Sequence, residues 1–264
     1  MSISEGLQFD DAMVRTLESL YQTKEAAIRR KMVLDALQLR LGECALDIGT
    51  GPGFVALEMA AAVGSTGQVE CIDDSETMIN VALKRCAGKP WICFQLGDAT
   101  ELPVASNSCD AAAVVQVYEF VPNVPRALEE LHLVLRPGGR AAIVSTDWPF
   151  IAWNSSDDAR MARILDAFSE HCAHITLPRI LMPMLKAAGF VSSSQSVLPQ
   201  FSVSYSPDRF GVHMAGLIRA FVPGRRGVTQ EEAAAWLDDL THTGERGEWF
   251  FNVNQHLFLV EKAA

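Results

Sequence analysis

The densest chemical signal in the chain is the run Leu46-Asp47-Ile48-Gly49-Thr50-Gly51-Pro52-Gly53, where a strand-like apolar segment gives way to a helical one. Glycines at such a junction let the backbone turn sharply and approach a ligand closely at the carboxyl end of a sheet. The dinucleotide fingerprint needs a third glycine, but the sixth position counted from Gly49 is Phe54, and counted from Gly51 it is Ala56. Two acidic positions follow at later strand ends. Asp73-Asp74 would present a carboxylate to ribose hydroxyls, and Gly97-Asp98-Ala99, just past the run WICFQL, lies within reach of an adenine amino group. Either acid alone is most often a strand-end or helix-cap residue. Three signals in order at three successive strand ends point to a nucleoside ligand.

The elements that must position these residues alternate along the chain. CALDI, VECI, WICFQL, DAAAVVQV and GRAAIVS read as buried strands, and FVALEMAAAV, SETMINVALKRC and VPRALEELHLVL read as helices between them. Such alternation specifies a mostly parallel sheet with helices on both faces. One or two helices over residues 11–38 precede the first strand. Beyond Ser145 the rhythm breaks at Trp148, Phe150 and Trp153, and a helix runs from about Asp157 to Cys172. An αβ unit, PRILMPMLKAAGF into VSSSQSVL, comes next. Two helices span residues 205–246, the second opened by a Thr229-x-x-Glu232 capping box, and the chain reads as a long strand over EWFFNVNQHLFLVEK.

The segments LDIGTGPG, CIDDSETM, GDATELPVASNSCDAA and LRPGGRAAI, covering residues 43–146, resemble the motifs of class I S-adenosylmethionine-dependent methyltransferases, in particular the group that includes the ubiquinone and menaquinone biosynthesis enzymes. Thr50 stands where many relatives have cysteine or serine. The resemblance implies a Rossmann-like, seven-stranded, mostly parallel sheet whose last strand is antiparallel, with helical lid insertions. It implies S-adenosyl-L-methionine as cofactor and S-adenosyl-L-homocysteine as product. By the same resemblance Asp47, Gly49, Thr50, Gly51 and Gly53 border the methionine part, Asp73 with Asp74 the ribose diol, and Gly97, Asp98 and Ala99 the adenine. Gln116 and Val117 lie near cofactor and acceptor. Relatives fold an N-terminal segment over the methionine end, so Arg30 or Arg29 would meet the cofactor carboxylate and Tyr21 would cover the sulfonium; a solvated basic helix face is the alternative reading of the same residues. The chain thus divides into an N-terminal helical lid (1–42), a cofactor core (43–146) and a substrate lid with the C-terminal strands (147–264), all in one domain.

A sulfonium methyl is already activated, so the protein mainly aligns an electron pair behind it and keeps water out. No universal catalytic residue is required. Acid–base candidates are His171, His174, His213, His256, Tyr118 and Glu119, each of which ordinary hydrogen bonding also explains. Trp148, Phe150, Trp153, Phe210, Met214 and Phe221 are expected to line an apolar acceptor pocket, and packing explains each equally well. O- or C-methylation of an aromatic or quinone-like metabolite is the first expectation, with N- or S-methylation as the alternative. A nicotinamide oxidoreductase and a non-catalytic nucleoside-binding protein are further alternatives, and the missing third glycine argues against the former.

At 264 residues, 49% of them hydrophobic, the chain can bury one substantial core. A formal net charge of -10 argues against polyanion binding, so a small-molecule substrate is expected and nucleic acid is not. The expected assembly is a monomer or homodimer. The sequence has no long apolar run, and MSISEGLQFDDAM has neither the basic start nor the apolar core of a signal segment, so a cytoplasmic protein is expected. Six scattered cysteines with no C-x-x-C pair read as reduced thiols, and Cys172 as the one outside the core, too few to serve arsenite chemistry. His171-Cys172-x-His174 has no second ligand pair at zinc spacing, so no metal is expected.

Overall fold

The computed structural model describes residues 11–263; the N-terminal segment read above for a signal lies mostly outside them. Two helices come first, α1 (Asp11–Tyr21) and α2 (Lys24–Leu37). Thr23 separates them by capping α2, its hydroxyl oxygen accepting from the Ala26 amide at 3.3 Å and donating to the Leu20 carbonyl at 2.8 Å. The alternating core follows as β1 (Cys44–Ile48), α3 (Phe54–Val63), β2 (Gln68–Asp73), α4 (Glu76–Arg85), β3 (Ile92–Leu96), β4 (Cys109–Val115), α5 (Val124–Val134) and β5 (Leu135–Thr146). Then come β6 (Ala152–Trp153), α6 (Asp158–Phe168), α7 (Pro178–Ala187), β7 (Phe190–Ser202), α8 (Phe210–Phe221), α9 (Gln230–Glu245) and β8 (Phe251–Lys262). Side-chain caps begin most of the helices, with Ser75, Asn123, Asp157 and Thr229 each accepting from an amide three residues on.

These strands form a single sheet in the order β3-β2-β1-β4-β5-β8-β6, with β7 paired to the other side of β8. Strands β1 to β5 pair in parallel, and β8 runs antiparallel to β5, β6 and β7. The expected antiparallel strand is therefore β8. The sheet has eight strands where seven were expected. The extra one is β6, formed because a 3₁₀ turn at Trp148–Phe150, carrying Pro149, carries the chain off β5 and returns it to β8 for only two residues. Two residues are too short a run to leave a period-two pattern.

Apolar residues of α2 and α3 pack on one face of the sheet, and those of α5 and α7 on the other. A third cluster joins α1, α6, α8 and α9 around Trp153, Phe210, Met214, Trp236 and Phe251. Both faces of the parallel strands are thus covered, which leaves the carboxyl ends of the strands, roofed by this third cluster, as the place for a ligand. All six cysteines are unbridged. Cys93 is exposed on the edge strand β3, so Cys172, half-buried, is not the one thiol outside the core. Among the described residues no helix is long and apolar enough to cross a membrane.

Candidate functional site

A cavity of about 430 Å³ opens where the carboxyl ends of β1, β2 and β4 meet the roof of helices. Its floor is the glycine turn. Gly49, Gly51 and Gly53 all hold positive φ (66°, 52° and 83°), and the amides of Gly49 and Thr50 both donate to the Ile72 carbonyl, at 2.8 and 3.0 Å. A Cβ at Gly49 would run into Val117, whereas one at Gly51 would meet no protein atom within 4 Å. The turn at Gly51 therefore presents bare backbone to open space.

Asp73 and Asp98 flank the turn. Asp73 accepts from the Gly51 amide with Oδ2 (2.7 Å) and from the Ser75 amide with Oδ1 (2.9 Å). Burial pushes its carboxyl above the usual range, partly opposed by those two amides. Asp98 accepts from the Thr100 amide and hydroxyl, both at 2.7 Å, and they hold its carboxyl below the usual range. Asp74, Gly97, Ala99, Gln116 and Val117 also line the cavity. Asp47 and Thr50 do not: Asp47 lies beneath the turn, where its carboxylate accepts from the Thr50 hydroxyl at 2.8 Å. Gly53 is likewise off the wall, since its close neighbour is Ala82 of α4. These three shape the floor rather than border a ligand.

Gln116 closes β4 in a left-handed conformation, φ 57°, unusual for a residue with a side chain. It is held there by its amide donating to the Val144 carbonyl (2.8 Å), its Nε2 donating to Thr146 (3.0 Å), and the Arg29 guanidinium donating to its Oε1. Arg29 is buried, which lowers its pKa to about 10, and its Nη1 also donates to Gln255 at 3.3 Å. Arg30 donates to Glu58 (2.8 Å) and to the Tyr21 carbonyl (2.6 Å). Neither arginine lines the cavity; both are buried, which corrects the solvated-face reading, and they are engaged inside the protein, where they hold Gln116 and Tyr21. Tyr21 itself does line the cavity, together with Leu17 and Leu20 of α1.

The far end of the cavity is aromatic. Trp148, Phe210 and Met214 line it as expected, joined by Phe120, Phe168 and Leu217, which pattern reading did not single out. Phe168 precedes His171 by three residues at the end of α6, the one local hint that the two share a face. Trp153 and Phe150 are corrected. Trp153 is buried against Trp236 and Phe251, donating to the Gly211 carbonyl at 3.3 Å, and Phe150 is 61% exposed beneath Arg179. Phe221 packs on Phe168 behind the wall.

Of the acid–base candidates, His171 lines the cavity. Tyr118 sits in the core of α5 and α7, its hydroxyl against the Ala127 carbonyl at 3.5 Å and its pKa raised by burial. His174 Nε2 contacts the Val121 carbonyl at 3.1 Å, while His213 at the start of α8 and His256 on β8 also stand off the wall. Glu119 is fully buried. It accepts from the Ser145 hydroxyl (2.7 Å), the Thr146 amide (3.3 Å) and Trp148 Nε1 (3.2 Å), and burial pushes its pKa up to about 7. Glu119 thereby fixes the Trp148 ring that walls the cavity. No group of three or more His, Cys, Asp and Glu is placed to hold a metal among the described residues.

A family described as "Methyltransferase domain" matches residues 46–143. The chain is 35% identical over 133 residues to the demethylmenaquinone methyltransferase of Staphylococcus aureus (strain MRSA252), covering 50% of this chain and 55% of that protein. It spans about half the length of the curated relatives it matches. Among solved structures it is similar to a putative methyltransferase from Bacillus halodurans (TM-score 0.66, 18% identity, 89% of this chain and 99% of that one). Another is phosphoethanolamine N-methyltransferase 2 of Haemonchus contortus in complex with phosphomonomethylethanolamine and S-adenosylhomocysteine, with a TM-score of 0.64 and 17% identity over 97% of this chain and 58% of that one. At these identities the structural likenesses establish a common fold.

Proposed function

We propose that this chain, whose residues 46–143 match a methyltransferase domain family and whose fold is shared with a putative methyltransferase, transfers a methyl group from S-adenosyl-L-methionine to a small apolar acceptor, an aromatic or quinone-like metabolite methylated on oxygen or carbon. The observation that carries this reading is one continuous cavity lined by the Gly49–Gly51 turn, Asp73 and Asp98 at one end and by aromatic side chains at the other.

The residues present fit the cofactor. Gly51 leaves open the space a side chain would fill, and each Asp73 oxygen, already holding one amide, keeps a lone pair for a ribose hydroxyl. Asp98 is the partner for an adenine amino group, and Tyr21 and Gln116 cover the methionine side. Bound there, S-adenosylmethionine supplies a methyl on a sulfonium, activated for in-line displacement. The chain's own work is positioning: α1 excludes water over Tyr21, and Trp148, Phe168, Phe210 and Met214 seat an apolar acceptor. The cavity's carboxylates, Asp73, Asp74 and Asp98, belong to the nucleoside end, which favours an uncharged acceptor over a cationic amine. In this reading residues 1–42 serve as the N-terminal lid, 43–146 as the cofactor core and 147–264 as the acceptor lid with the closing strands.

Isothermal titration tests the assignment. S-adenosylhomocysteine is expected to bind with a one-to-one enthalpy and NAD to give none; NAD binding without S-adenosylhomocysteine binding overturns it.

A further inference from the structure

His171 occupies a 3₁₀ turn, Ser169–His171, directly after α6, and its ring lines the aromatic end of the cavity at 1% exposure. The ring is fixed on all sides. It stacks on Phe168 at 4.0 Å between centroids and 2° between planes, and it meets Trp148 edge-on at 4.5 Å and Phe120 at 6.0 Å. Its Nδ1 lies 2.7 Å from the Phe168 carbonyl oxygen. A carbonyl only accepts, so Nδ1 carries the proton and Nε2 presents a lone pair. That Nε2 is buried and has no hydrogen-bond partner in the protein.

A buried acceptor left unpaired is costly, and a phenylalanine at this position would stack equally well at no such cost. The residue that carries this unpaired nitrogen lines the ligand cavity. We propose that His171 Nε2 accepts the hydroxyl hydrogen of the methyl acceptor and takes its proton during transfer, and that the acceptor is therefore an aryl alcohol methylated on oxygen. This assignment rests on the methyltransferase reading above.

The chemistry around the ring agrees. Burial lowers the His171 pKa to about 4, so the imidazole is neutral at ordinary pH and does not repel a cationic methyl donor. The nearby acids are engaged elsewhere, Glu119 with Ser145, Thr146 and Trp148, and Glu170 with Arg226 at 3.1 Å. The step balances as follows: the acceptor oxygen forms a bond to the methyl carbon, the carbon–sulfur bond breaks with its electron pair left on sulfur, and the hydroxyl proton passes to Nε2. The positive charge lost from sulfur reappears on the imidazolium, which releases the proton to solvent as product leaves. A weak base suffices, because the hydroxyl becomes far more acidic than an imidazolium once its oxygen is bonded to methyl. An ionised thiolate or enolate would instead set a lone pair against the Nε2 lone pair.

Two probes of one shape, 2-naphthol and 2-methoxynaphthalene, separate this role from packing. With S-adenosylhomocysteine bound, the protein is expected to bind the naphthol about tenfold more tightly than the ether, the worth of one net hydrogen bond. Nitrogen-15 spectra of labelled histidine should report the Nδ1–H tautomer in the free protein and a shift at Nε2 with the naphthol alone. His171→Phe should abolish the preference, the naphthol then binding no more tightly than the ether, while S-adenosylhomocysteine still binds. Equal binding of the two probes, absence of binding by both, an Nε2–H tautomer, or a preference that survives in His171→Phe overturns the proposal. If His171→Phe does not fold, the wild-type comparison and the spectra still decide. Failure of the wild-type protein to bind S-adenosylhomocysteine is a different result, and counts against the methyltransferase reading itself.

Discussion

The Asp73 carboxylate holds the Gly51 amide with one oxygen and the Ser75 amide with the other, so it shapes the glycine turn and faces the cavity at the same time. Asp74, next to it, is exposed at the cavity rim. Asp73→Ala is therefore expected to weaken S-adenosylhomocysteine binding by about 1.5–3 kcal/mol, as for lost charge-assisted hydrogen bonds. Asp74→Ala should change it by less than about threefold, a few tenths of a kcal/mol; titration showing the reverse order would move the ribose contact to Asp74. The Cβ of Gly51→Val meets no protein atom within 4 Å, but the residue must hold φ 52°, a strain of about 1–3 kcal/mol. The variant should stay folded by circular dichroism and lose the thermal shift given by S-adenosylhomocysteine, and retention of the full shift would show that the turn serves packing alone. The acids were legible in the sequence because a strand's end fixes where its last side chains go. The layer behind them was not: Asp47, Thr50 and Gly53 are contiguous with the wall residues, and only three-dimensional placement tells which of neighbouring positions faces the ligand and which supports it.

At the scale of elements, α1 lies across the cavity with Leu17, Leu20 and Tyr21 on its wall, while Arg30 of α2 grips the Tyr21 carbonyl. Deleting residues 1–22 keeps Thr23 to cap α2 and removes the cover. We expect S-adenosylhomocysteine affinity to fall by at least about tenfold, or 1.4 kcal/mol, and Tyr21→Ala alone to produce part of that loss. Titration curves identical to the full chain's for both variants would reduce α1 to a packing element. The alternating strands and helices and the antiparallel strand were readable because each extends over enough residues to repeat its period; at Thr229 the cap of α9 forms as read, while the Glu232 carboxylate of the expected capping box turns to Arg163 instead. The stretch after β5 was not. Within Trp148, Phe150 and Trp153 a 3₁₀ turn and a two-residue strand redirect each side chain, sending one to the cavity, one to solvent and one to the core. The partners of the α2 arginines, Gln116, Gln255 and Glu58, are distant in sequence, and no local pattern links them.

At the scale of the whole molecule, burial among the described residues pushes the Asp47 and Glu119 carboxyls far above their usual range, both up to about 7. Their folded pKa exceeds the unfolded one, so the native state holds more protons between about pH 4 and 7, and stability falls as pH rises through that window. His171 acts oppositely, since its folded pKa of about 4 lies below the unfolded value and costs stability as pH falls below about 6.5. The carboxylate effect is isolated by comparison with Asp47→Asn and Glu119→Gln. Between pH 5 and 8 wild type should lose more than about 1 kcal/mol relative to each variant in denaturant melts, and parallel pH profiles would mean that these groups stay ionised throughout.

Strand β8 lies between β5 and β7, yet it is made after both. During synthesis the chain must run from Ser202 to Phe251 before the gap can be filled, about 2–10 s at the usual pace of translation. For that interval β7, whose sheet partner is β8, has nothing to pair with, and the neighbouring edge of β5 stands open. Unsatisfied edges of this kind recruit other strands. A pause in translation within α8 or α9 would therefore lengthen the time in which two nascent copies can join through β5 or β7, and the yield of folded protein would depend on codon choice in a stretch remote from the glycine turn.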